Sequence, residues 1–105
     1  MACVMFHFDR PTDTKHWHEY NLRVRGWIAQ LLEVPGAVSF IAYHTADGTS
    51  PNTTTILEFR TLEDARKAVT SEQMKSVLQG LRSVGAFAKV SVAERSPFTP
   101  KPIRA

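Results

Sequence analysis

At 105 residues the chain is one domain, long enough for a single core and too short for a catalytic domain beside a substrate domain. Its net charge of +3 hints at a nucleic-acid binder until the charges are placed: residues 1–94 hold ten Lys/Arg and ten Asp/Glu, and the excess is Arg95, Lys101 and Arg104. A neutral body with a mildly basic tail offers no face for phosphates, so no nucleic-acid partner is expected.

The opening MACVMFHFDR lacks the basic n-region of a secretory signal. No apolar stretch approaches the ~18 residues of a membrane helix, so no membrane partner is expected and the reading is cytoplasmic. A lone cysteine, Cys3, has no intramolecular disulfide partner and reads as an ordinary strand residue.

Cys3 to Phe8 (CVMFHF) is a run of β-formers before a polar DRPTDT turn and predicts the first strand. From about Asp13 the period changes. Trp17, Tyr20, Val24, Trp27 or Ile28, and Leu31 recur at three- and four-residue steps, which predicts a helix with one buried stripe, stopped at Val34-Pro35-Gly36. Thr12, Asp13 and Thr14 compete as its N-cap. Gly26, inside that helix, fits either close packing or space left for a ligand.

Ala37 to His44 and Thr53 to Phe59 are two more strands, joined by TADGTSPN, whose Asp47-Gly48 and Pro51-Asn52 mark a hairpin loop. Thr61 with Asp64 starts a second helix. Thr70 with Gln73 offers a capping box immediately afterwards, with Val69 and Met74 spaced as a hydrophobic staple, so the region is two short helices or one bent one. Met74, Val77, Leu78 and Leu81 form its stripe and Gly85 ends it. Ala86 to Ala93 is the last strand. The division is therefore a domain over 1–95 and a Pro-rich tail over 96–105, extended and either docked or loose.

The order βαββαβ predicts an α+β, ferredoxin-like fold: a four-stranded antiparallel sheet with the helices on one face. Strand alternation sorts Val4, Phe6, Phe8; Val38, Phe40, Ala42; Thr55, Leu57, Phe59; and Ala88, Val90, Val92 toward the helices. The other face holds Met5, His7, Ile41, Tyr43, Ile56, Glu58 and Phe87. That face is too apolar to stay uncovered, and a second copy of the sheet is the expected cover, giving a homodimer.

VPGAVSF after the first helix, ILEFRTLEDARKA across strand three, and SEQMKSVLQGLRSVG before the last strand give residues 3–94 a resemblance to the dimeric α/β-barrel superfamily, nearest its antibiotic-biosynthesis-monooxygenase-like and ethyl tert-butyl ether degradation-like members. The resemblance implies a dimer with sheets face to face. It also implies an activity drawn from a varied group: cofactor-free oxygenases of aromatic or polyketide substrates, haem-degrading enzymes, haem peroxidases, isomerases, and members without known activity. The haem-degrading branch relies on an asparagine in the first strand and on a tryptophan and a histidine near the second helix. Here the first strand has His7, and Thr61 to Val84 contains neither ring, so that route is not expected. Strand three ends in Phe59 where related monooxygenases often have tryptophan.

The residues themselves name few chemical groups. There is no phosphate loop, dinucleotide fingerprint, nucleophile elbow or metal-ligand spacing, so neither metal nor cofactor is expected. In KHWHEY, His16 and His18 point roughly 200° apart on a helix and cannot share a metal; they read as solvated or capping side chains, and Glu19 as an exposed acid. The catalytic candidates are His7, His44 and Glu58. His7 and Glu58 share a face, and a contact between them would make the imidazole a general base, with Lys89 as a further charge partner. Trp17, Tyr20, Trp27 and Tyr43 are the candidate walls of a site for a small aromatic ligand.

Two functions remain open. One is a small homodimeric, monooxygenase-like enzyme in which a base and a dry pocket activate an acidic phenol or enol. The other is a non-catalytic small-molecule-binding or accessory dimer. An RNA-recognition domain shares the element order, but strand three, TTTILEF, carries one aromatic and an acid, so that reading fails.

Overall fold

The computed structural model describes residues 1–105. The elements are β1 (Ala2–Phe8), α1 (Thr14–Leu32), β2 (Ala37–His44), β3 (Thr53–Phe59), α2 (Leu62–Val69), α3 (Glu72–Ser83) and β4 (Lys89–Glu94). The sheet is fully antiparallel in the order β2-β3-β1-β4, so the expected ferredoxin-like arrangement is the one observed.

Local chemistry sets most of the boundaries. Asp13 caps α1, accepting the His16 N–H at 3.1 Å on Oδ2 and meeting His16 Nδ1 at 2.9 Å through Oδ1. His16 is thereby committed to the cap, while His18 lies exposed on the outer side. Gly36, with φ +86°, follows the helix in the left-handed region that glycine adopts without steric cost, and any Cβ there would meet the Asp64 carboxyl at 2.6 Å. At the other end of the fold α3 closes in a Schellman turn. Ala86 N–H donates to Leu81 O at 2.9 Å and Gly85 N–H to Arg82 O at 3.0 Å, with Gly85 at φ +79°.

Two expectations about ends need correcting. α3 is capped by Ser71, whose Oγ accepts the Met74 N–H at 3.2 Å, and not by Thr70. Thr70 is already used as the C-cap of α2, with its hydroxyl on Lys67 O, so the Val69–Met74 staple has no helix start to serve. The last strand begins at Lys89 and not at Ala86, because Ala86 belongs to the Schellman turn.

β1 and β3 alternate buried and half-buried along their whole length, as strands do when one face is sealed by helices. Val4, Leu57, Phe59, Met74 and Val77 are almost fully buried, each worth ~1.5–3 kcal/mol relative to exposure. β2 differs. Its inward residues Phe40 and Ala42 keep contact with solvent, and Val38, expected among the helix-facing set, sits at a bulge between Ala37 and Ser39 and is 47 % exposed. The inward face of β2 is thus left open under α1. Residues 96–105 form no helix or strand, and Phe98 and Ile103 stand exposed.

Candidate functional site

The opening between α1 and β2 continues inward as a cavity of about 280 Å³ bordered mainly by apolar side chains. One wall is made by α1. Trp17 and Tyr20 lie one turn apart on the same helix face and stack with centroids 5.9 Å apart and planes 13° from parallel. Tyr20 then meets Trp27 edge-on at 5.9 Å, and Phe8 of β1 at 6.4 Å. Trp27 and Tyr20 are buried, but Trp17, expected in the buried stripe, is 40 % exposed. It borders the cavity on one side and an outer hollow beside Arg10 on the other.

The floor is the inward parity of β2 and β3: Phe40, Ala42, His44, Thr53 and Thr55. His44 follows Ala42 on the same side of the strand, so its ring enters the cavity wall near the hairpin loop. Polar groups are few here. They are Arg10, Tyr20, Asn21, His44, Thr53 and Thr55, and no carboxylate is among the lining side chains. Burial pushes the Tyr20 phenol above its ordinary value of 10.0, against the opposing pull of the nearby Arg10 charge.

Arg10 was not among the residues singled out from the sequence. It continues the inward set Val4, Phe6, Phe8 by two positions, and that parity is the signal that points to it. Its guanidinium carbon lies 5.8 Å from the centroid of the Trp17 ring. Its backbone N–H donates to Asn52 Oδ1 at 3.1 Å. The neighbouring acid, Asp9, is occupied elsewhere: its carboxylate accepts the Ser50 hydroxyl at 2.5 Å and the Asn52 N–H at 2.8 Å, and these two bonds hold it below the usual carboxylate range. The β2–β3 loop therefore grips the end of β1 and takes up the acid, leaving the arginine beside it.

The sequence-derived residues divide between the two faces of the sheet. Trp17, Tyr20, Trp27 and His44 gather around the cavity; His7, Tyr43 and Glu58 lie on the opposite face. The expected His7–Glu58 contact does not form. In the β1–β3 register Glu58 stands opposite Cys3 while His7 stands opposite Thr54, so the two share a face but are separated by four residues of strand. His7 Nδ1 meets Thr54 Oγ1 at 3.0 Å, and Glu58 instead pairs with Arg95 at 3.5 Å. Lys89 does stand across from His7 on β4. The Cys3 thiol on this face is pushed up by burial and then by Glu58, which leaves it unactivated. No group of three His, Cys, Asp or Glu side chains is placed to hold a metal ion, and no helix is long and apolar enough to cross a membrane.

No protein-family model matches the sequence, and no curated protein matches it. Solved structures do. SnoaB, a cofactor-independent oxygenase from Streptomyces nogalater, superposes with a TM-score of 0.68 over 95 % of this chain and 97 % of its own, at 14 % identity. An ethyl tert-butyl ether degradation family protein from Bacillus halodurans gives 0.66 over 91 % and 99 %, at 13 % identity. HapK from Hahella chejuensis gives 0.68 over 100 % and 99 %, at 12 % identity. The chain has their fold. That fold is the ferredoxin-like βαββαβ arrangement that the sequence predicts, and at such identities the agreement concerns architecture alone.

Proposed function

We propose that the protein binds a small aromatic or polyketide-like molecule between α1 and the sheet and oxidises it without a cofactor, as a homodimer. The observation that carries this reading is the open cavity itself. A helix–sheet interface serving only as core closes to interior density, whereas here about 280 Å³ remains, walled by stacked rings and reached by a histidine. The fold shared with a cofactor-independent oxygenase agrees with it.

In this reading His44 is the base. It removes the proton of a phenol or enol, the electron-rich anion reacts with O₂, one oxygen atom ends in a carbonyl on the ring and the other leaves as water. The substrate supplies the electrons, and the apolar walls keep solvent from the anion. His7 and Glu58, on the far face, then belong to the contact between subunits. Ile41, Tyr43 and Phe87 are 46 %, 57 % and 70 % exposed on or beside that face, and a second sheet would cover them.

The test is oxygen uptake with a panel of fused-ring phenols beginning with 1-naphthol, whose conversion to 1,4-naphthoquinone and water is read by mass spectrometry. His44→Ala should abolish turnover, whereas His7→Ala should keep it. Turnover unchanged in His44→Ala removes the base assigned here, and tight binding without turnover across the panel leaves the protein a carrier.

A further inference from the structure

We infer that Arg10 is the anion-recognising residue of this cavity, and that the ligand is an aromatic oxyanion whose ring enters between α1 and the sheet while its ionised oxygen meets the guanidinium at the mouth. The inference rests on the cavity-binding half of the proposed function and adds to it the ligand's charge.

Three observations carry it. First, Arg10 has no acidic partner. The ion pairs of the molecule are His16–Asp13, Lys67–Glu63, Lys75–Glu72 and Arg95–Glu58, and the acid next to Arg10 in the chain is bound by Ser50 and Asn52. Second, its Nε is shielded from solvent and has no hydrogen-bond partner. A shielded donor left unmade is costly, and the Trp17 face offsets only part of that cost. Third, Arg10 borders both the aromatic cavity and an outer hollow formed with Pro11, Thr12, Trp17 and Asn52, so it stands at the passage between them.

With no carboxylate among the lining side chains, a negative group entering there meets a cation and no repulsion. The nearly parallel Trp17 and Tyr20 rings favour a flat partner, and the guanidinium fork favours a planar oxyanion such as a carboxylate or a delocalised phenolate. Asn52, which holds the Arg10 backbone, is a positioning residue.

Trp17 and Trp27 are the two tryptophans of the chain and both border the cavity, so their fluorescence reports its occupancy. We expect 2-naphthoate to bind at least about tenfold more tightly than the neutral 2-naphthamide, equivalent to ~1.4 kcal/mol. Arg10→Met should bring naphthoate down to the level of the amide, with an unchanged far-ultraviolet circular dichroism spectrum showing that the variant is folded; Arg10→Lys should keep part of the preference. 4-Nitrophenol separates the two sources of the oxyanion, because capture as phenolate raises the visible absorbance of the bound dye in the native protein and not in Arg10→Met. A preference for naphthoate alone points to a carboxylate ligand, and an added nitrophenolate signal to a phenolic one. Equal binding of naphthoate and naphthamide overturns the role of Arg10 while leaving the cavity reading intact. Binding of neither probe removes both.

Discussion

Gly80 on α3 is where the cavity wall meets the rest of the core, and replacing it with alanine separates packing from helix propensity. An added Cβ would stand 2.5 Å from Trp27 Nε1, 2.8 Å from Cε2 and 2.9 Å from Cζ2. Carbon contacts are comfortable at ~3.5–4.0 Å, so the indole must retreat by about 1 Å. It carries the Arg23 guanidinium at 5.0 Å and the Tyr20 ring at 5.9 Å, and the open side is the cavity it lines. Overpacking of this kind costs ~1–3 kcal/mol, against a gain of ~1 kcal/mol for alanine over glycine inside a helix. The net loss is ~0–2 kcal/mol, or a fall in Tm of up to about 15 °C at ~4–8 °C per kcal/mol.

Gly26 on α1 supplies the control. Nothing lies within 4 Å of its added Cβ, so close packing does not explain this glycine. Gly26→Ala should raise stability by ~0.5–1 kcal/mol without touching the site. Thermal unfolding followed by circular dichroism gives the first comparison, and titration with 2-naphthamide gives the second: Gly80→Ala should weaken binding and Gly26→Ala should not. If both variants gain the same stability and bind alike, the indole does not rest on Gly80, and the cavity wall described here is wrong.

Other outcomes follow from the same geometry. Asp9 has a folded-state pKa below its ordinary 3.8 because it accepts from Ser50 and then Asn52, so its contribution is complete above that value and disappears as the pH falls through the folded pKa. The Tm should therefore drop below about pH 3.8, and less steeply in Asp9→Asn; the remaining slope belongs to Asp13 and Asp47, which are shifted the same way. Ser71→Ala should cost ~1 kcal/mol in chemical denaturation, and Gln73→Ala much less, since the cap of α3 is the Ser71 hydroxyl; the reverse order would restore the Thr70 frame. Sedimentation should give twice the 11.8 kDa chain mass, and Ile41→Lys should return single chains with the fold intact. A monomeric native protein at micromolar concentration contradicts the subunit contact.

Much of the architecture is legible from local chemistry. β2 and β3 begin and end where alternation and turn residues place them, because a strand's period and the Asp-Gly and Pro-Asn breaks are properties of neighbouring residues. Thr61 and Gly85 mark helix ends for the same reason. The choice between Thr70 and Ser71 was not local, since both hydroxyls suit a cap and the end of α2 had to claim one of them first.

The site divides along the same line. Alternation alone sends His44 to one side of the sheet and His7, Tyr43 and Glu58 to the other. How far His7 lies from Glu58 depends on the β1–β3 register, which pairing across some fifty residues of chain decides. The same holds for Arg10: its parity is written in the sequence, but its lack of a partner is not, because Asp9 is taken by a loop about forty residues away. Patterning determined which side chains face the helices. Only the assembled fold decided whether the space between them was filled, since a cavity is the difference between two packed surfaces and belongs to no segment alone.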